Sequence, residues 1–179
     1  MENKAVGIQS FSFVIRKKNS KGKDQMTHYH KAESLINKYM FSSIAVGLVP
    51  IPLVDLIALS GLQLSMLRSL AKLYGIPFSK ERGKALITAL LGGSVPLSFS
   101  RQLVSLVKSM PVYGQVTGML SISIFGGAST YAIGKVFMQH FESGGTFLTF
   151  EPQKVSDYYT QQFEKAQQEL KNNNIGRRP

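Results

Sequence analysis

The chain contains no cysteine. That excludes a disulfide framework and all thiolate chemistry, and is compatible with a reducing compartment. Acidic residues are scarce: 10 Asp and Glu stand against 21 Lys and Arg, for a net charge of +11 over 179 residues. Such an excess points to anionic partners, either acidic headgroups, nucleic acid or an acidic protein. A leader of secretory order is also missing. In MENKAVGIQSFSFVIRKK the basic residues follow the apolar ones, the reverse of a signal peptide. A membrane would therefore be met from the cytoplasmic side.

The motifs of common chemistries are missing too. AIGKVF holds Gly134–Lys135, but Ser129 stands where a phosphate loop has its first glycine and Val136 where it has Ser or Thr. Neither GxGxxG nor GxSxG occurs. His28 and His30 have no third ligand nearby and read as a chance surface pair. His140, near Glu142, is read as a helix-end residue. From this the sequence predicts no catalytic residues, no cofactor and no metal site, and hence no enzyme.

Charge is unevenly distributed. Residues 1–38 hold eight Lys/Arg and three Asp/Glu, and residues 39–146 hold the same numbers over nearly three times the length. Residues 147–179 hold five and four. A sparsely charged middle lies between charged ends. We divide the chain into a basic arm (1–29), an apolar helical, membrane-associated domain (30–147) and an amphipathic C-terminal helix with its tail (148–179). The arm carries a short alternating pattern in SFSFVI and the cluster Arg16, Lys17, Lys18, Lys21 and Lys23. This cluster is either a solvated tail or an anionic-surface binder. Nucleic acid is disfavoured, because charge is not accompanied by a docking motif. A basic segment beside an apolar middle suits the cytoplasmic face of a membrane better.

Periodicity predicts five helices before the last one. The first runs from His30 to about Val49, on Ala32, Leu35, Ile36, Tyr39, Met40 and Ser43. VPIP ends it, since Pro50 and Pro52 disfavour helix before them. Pro52 suits the first turn of the second helix, which runs to about Tyr74 and stops at Gly75 and Pro77. Ser79 caps a third helix over Glu81–Leu91. A fourth covers Ser98–Ser109. A fifth runs from Val112–Gln115 towards Glu142. Ser109–Gly134 is free of charge for 26 residues, and about 20 suffice to cross a hydrocarbon core. It is the strongest membrane signal in the chain, although Gly, Ser and Thr dilute it, and a buried core helix is the competing reading. GGTFLTF is a turn with a short extended piece. The last helix is amphipathic, with Val155, Tyr158, Tyr159, Phe163, Ala166 and Leu170 on one side.

Two stripes of small residues stand out. On the second helix Ala58, Gly61, Ser65 and Ser69 align. On the fifth, Ser123, Gly126, Gly127, Thr130 and Gly134 align. Small-xxx-small spacing lets helix backbones approach closely. Asp55, among apolar neighbours, falls in the first turn of the second helix. There the exposed N–H groups and the positive helix end stabilise a carboxylate. The alternatives for it are an ion pair with Arg101 or Arg68, or a place on an ion pathway.

The stretches GLVPIPLVDLIALSGLQLSMLRSLAKLYGIPFS, KSMPVYGQVTG and GGASTYAIGKVFMQHFESGGTF together resemble a known family. It is the domain of unknown function found beside or fused to Era/Der-like GTPases and in YcjF-type bacterial inner-membrane proteins. The resemblance covers about Ala32–Phe147. It implies an all-helical, membrane-associated bacterial module and a GTPase relationship. This chain has no GTPase domain, so a nucleotide switch would be supplied in trans. The family brings no catalytic residues.

The leading expectation is therefore an all-α protein. Gly/Pro-hinged hairpins, with Pro50, Pro52 and Asp55 as hinge and cap, form a small membrane-associated bundle. It acts as a scaffold or effector at the bacterial cytoplasmic membrane, with cytoplasmic termini. Its partners are membrane lipids, further copies of itself and a GTPase. An oligomeric pore or transporter subunit is the alternative, and a soluble helical interaction domain is the third reading.

Overall fold

A computed structural model describes residues 26–47, 54–94 and 115–175. Every regular element among them is a helix: α1 (residues 26–47), α2 (Val54–Leu73), α3 (Lys80–Ser94), α4 (Gln115–Glu142) and α5 (Pro152–Ile175). The all-α class follows. The basic arm up to residue 25, the Pro50–Pro52 hinge and the expected helix at Ser98–Ser109 lie outside the described residues, while residues 26–29, read as the end of the arm, open α1. The chain divides between Ser34 and Leu35 into two compact units. The described part of the first unit is the opening of α1, where Met26 and Tyr29 are exposed. The second unit, from Leu35 on, is the helical bundle.

Local sequence explains where the helices stop. Gly75 takes a φ of 68° and Gly144 a φ of 82°, in the left-handed region that glycine enters without steric cost. At the end of α2, the N–H of Ile76 donates to the carbonyl of Ala71 at 2.8 Å, and that of Gly75 to Lys72 at 3.3 Å. At the end of α4, Gly145 donates to His140 at 2.9 Å and Gly144 to Phe141 at 3.0 Å. Both are Schellman caps, which satisfy carbonyls that the last turn leaves open. α3 opens on Ser79, whose hydroxyl accepts the N–H of Arg82 at 3.4 Å, as an N-cap does. The segment after Gly144 is a hydrogen-bonded turn rather than an extended piece. Thr149 donates its N–H to the carbonyl of Thr146 at 3.2 Å.

α4 is the central helix. Gly126 lies against Leu59 of α2 and the carbonyl of Ser43 in α1, and Gly134 lies against Ile36 of α1. Ser43 meets Thr130, while Gly47 meets Ser123, so α1 runs antiparallel to α4. Gln63 of α2 meets Thr130, and Tyr74 meets Phe141, so α2 runs parallel to it. Phe125 meets Phe163 and Phe137 stacks on Phe150, so α5 returns antiparallel. α3 packs on α2 and α5. The apolar side read for α5 is the side that covers α4: Tyr159, Phe163 and Ala166 are buried.

Of the charge-free stretch Ser109–Gly134, which the sequence offers as a membrane segment, the structure describes the part from Gln115 on. Among the described residues no helix is long and apolar enough to cross a membrane. From Ser123 to Gly134, α4 lacks charge where neighbouring helices cover it. Ser123, Ala128, Ser129, Thr130, Ala132 and Ile133 are all buried, and a helix face covered by protein is apolar for that reason alone. Its glycines, serines and threonines admit close neighbours and at the same time lower its hydropathy.

Candidate functional site

Four helices of the bundle meet in a buried chain of hydroxyls around one amide. Ser43 of α1, Gln63 of α2, Ser129 and Thr130 of α4 and Tyr159 of α5 each expose 1% of their surface or less. The Ser43 and Thr130 hydroxyls share a hydrogen bond of 2.9 Å, and Ser43 Oγ also donates to the carbonyl of Tyr39 at 2.9 Å. The Gln63 amide Nε2 reaches Ser129 Oγ and Thr130 Oγ1, each at 3.4 Å. The Tyr159 hydroxyl donates to Ser129 Oγ at 3.3 Å. Among the described residues no buried side-chain nitrogen or oxygen lacks a partner.

A satisfied network of this kind orders a core, because each member fixes the rotamer and register of the next. An unmade bond at such depth would be costly. Burial pushes the Tyr159 hydroxyl up to about 12, with its hydrogen bond to Ser129 opposing the shift. The phenol is thus neutral across the physiological range. The network contains no histidine or carboxylate among these residues, so no hydroxyl is set up as a nucleophile. Among the described residues no group of three His, Asp or Glu could hold a metal ion.

One end of the bundle is closed by aromatic rings. Phe137 stacks on Phe150 with centroids 4.3 Å apart and planes at 5°. Phe147 stands edge-on to Phe78 at 5.7 Å and to Phe141 at 5.3 Å. His140, in the last turn of α4, bonds through Nε2 to the carbonyl of Thr146 at 2.9 Å and stands edge-on to Phe150 at 5.0 Å. A side chain at Gly145 would collide with this imidazole. Neighbouring Glu142 accepts the Tyr74 hydroxyl at 2.9 Å. His140 and Glu142 are therefore parts of a turn lock.

The two small-residue stripes have different surroundings. Gly126, Thr130 and Gly134 face the interior, where α1 and α2 approach α4. On α2, Ala58 is half-buried, Gly61 and Ser65 are exposed, and a side chain at Gly61 would meet nothing within 4 Å. Ser69 is half-buried and shares a 3.2 Å hydrogen bond with the Tyr39 hydroxyl. The face of α2 that packs inside this chain is Gln63, Met66, Leu67, Leu70 and Ala71. Asp55 falls in the first turn of α2, but its side chain is outside the described residues, as are Pro50, Pro52 and Arg101. So are Arg16, Lys17, Lys18, Lys21 and Lys23. Arg68, the other candidate partner of Asp55, is exposed on α2 itself. Sequence reading missed the network. Its one visible trace is Gln63, a lone amide between Leu62 and Leu64.

Comparison with known proteins adds two findings. Residues 17–168 match the family described as Domain of unknown function (DUF697). Magnetosome membrane protein 22 of Magnetospirillum gryphiswaldense is 40% identical over 136 residues, which is 75% of this chain and 70% of that protein. No solved structure matches.

Proposed function

The chain belongs to the DUF697 domain family, and on that premise we propose that it is a membrane-associated, non-enzymatic helical protein. The observation that carries the reading is the relative named as a membrane protein, whose match spans 75% of this chain. No described helix suits a crossing, so the association is with the bilayer face. The net charge of +11 supports docking on anionic headgroups, with the arm at Arg16–Lys23 as one contact. The location is the cytoplasmic face of a bacterial membrane, with both termini in the cytoplasm.

The role is that of a scaffold or effector. Copies would associate through the outward stripe of α2, where Gly61 leaves room for another backbone. A GTPase in trans would supply any nucleotide switch. The buried hydroxyls support a non-enzymatic part, since they are spent on one another. Among the described residues the same bonds leave no buried hydroxyl without a partner to line a path inside one copy.

Fractionation tests the proposal. The protein should pellet with membranes at low salt and be released by alkaline carbonate without detergent. Full recovery in the supernatant at low salt overturns membrane association. Resistance to carbonate replaces docking by insertion.

A further inference from the structure

We propose that the corner where α2 turns into α3 is a second docking surface for an anionic lipid bilayer, separate from the N-terminal arm. The proposal rests on the membrane reading above and adds a place to it. Arg68 and Lys72 lie one turn apart on the outward face of α2, and Lys80, Arg82 and Lys84 fall in the opening turns of α3. All five are exposed. A Cβ on Gly83 would lie 3.2 Å from Leu64, so the start of α3, with its cations, lies against α2 one turn from Arg68.

Glu81 is the acid among them. Its own backbone N–H and the Ser79 hydroxyl hold its carboxyl below the usual range, with Lys80 a smaller influence. It is thus engaged first by the helix start. Among the described residues none of the five cations is in an ion pair.

Local stability does not explain the pattern. The first turn of a helix favours negative charge, because its N–H groups point outward and the helix end is positive. α3 instead carries Lys80 and Arg82 there beside Glu81, with Lys84 in the next turn. A sequence that breaks a local rule without a local gain points to a partner, and an anionic surface supplies the missing counter-charge. The aromatic residues of the corner are turned inward. Tyr74 packs on Phe141 and gives its hydroxyl to Glu142, and Phe78 stands edge-on to Phe147. Single-stranded nucleic acid would need such rings outward for stacking. A headgroup surface needs only the charge.

The test uses the full chain and vesicles of phosphatidylcholine, with or without phosphatidylglycerol. The corner variant carries Lys72→Gln, Lys80→Gln and Lys84→Gln. The arm variant carries Gln at positions 16, 17, 18, 21 and 23. With about five-fold in partitioning for each cation, the corner variant should bind phosphatidylglycerol vesicles about 100-fold more weakly. Its thermal midpoint should be unchanged or slightly raised, because the unfavourable charge of Lys80 leaves the first turn of α3. Arginine at the same three positions should restore binding. If the corner variant binds like the unaltered protein while the arm variant does not, the proposal is overturned and the membrane reading stands. If the corner variant loses affinity for random duplex DNA and not for vesicles, the proposal is also overturned. If the unaltered protein binds neither vesicle, both readings fall.

Discussion

Single residues decide how the buried network behaves. Gln63 bridges Ser129 and Thr130 through two long bonds, and both hydroxyls keep another partner. Gln63→Leu, close in volume, should therefore cost only about 1 kcal/mol. Gln63→Glu places a carboxylate at the same depth with no cation in the network, and should cost about 3 kcal/mol or more at neutral pH. Its folded-state pKa would be raised, so the lost stability should return as the pH falls through that raised pKa towards the ordinary carboxylate range, below which recovery is complete. Urea unfolding of both variants at neutral and acid pH checks this. Tyr159 makes a second prediction. Its hydroxyl moves from 10.0 in the unfolded chain to about 12 in the fold. The folded state then holds the proton more tightly, so stability is intact below pH 10.0 and falls as the pH rises towards about 12. The total loss is about 2 to 3 kcal/mol. Tyr159→Phe should remove most of that slope in alkaline unfolding curves. The phenol's burial could not be read from a tyrosine that merely recurs with helical spacing.

At the scale of elements, identical spacing has opposite consequences on two helices. A Cβ on Gly134 would lie 2.7 Å and 2.9 Å from Ile36 atoms, and Ile36 is fully buried and cannot swing aside. Gly134→Ala should destabilise by about 1 to 3 kcal/mol, less what glycine forgoes in helix propensity. Gly61→Ala meets open space on an exposed helix. It should stabilise by about 0.5 to 1 kcal/mol. Chemical denaturation midpoints of the two single variants decide the matter, and equal signs would contradict the assigned faces. Both stripes were legible in the sequence. Which of them turned inward was not, because spacing fixes a shared face and not its neighbour. The stops at Gly75 and Gly144 were legible for a different reason: a left-handed cap is a local need that glycine meets by itself.

For the whole molecule the decisive element is α5. Its buried face, Tyr159, Phe163 and Ala166, covers α4. A burial of about 1.5 to 3 kcal/mol for each large side chain rivals the entire stability of an ordinary domain, about 5 to 15 kcal/mol. Ending the chain before Pro152 should abolish the cooperative thermal transition. A truncated chain that still melts cooperatively would mean that α5 serves a partner instead of the fold. The same packing changes what the charge-free stretch of α4 signifies. From Ser123 to Gly134 the stretch is apolar where other helices cover it.

The sequence alone determined the helical class, the helix stops, the amphipathic side of α5, the excess of positive charge and the family resemblance. Each depends on local chemistry or composition: left-handed glycines, capping hydroxyls, a 3.6-residue period, a count of charges. Only the tertiary structure decided which small-residue face was internal, that Gln63 joins Ser43, Ser129, Thr130 and Tyr159 in one network, and that α4 is covered by its neighbours from Ser123 on. It also set the start of α3 against α2 at Leu64. These facts depend on which helix lies against which, and burial and pairing belong to neighbours distant in the chain that no local pattern names.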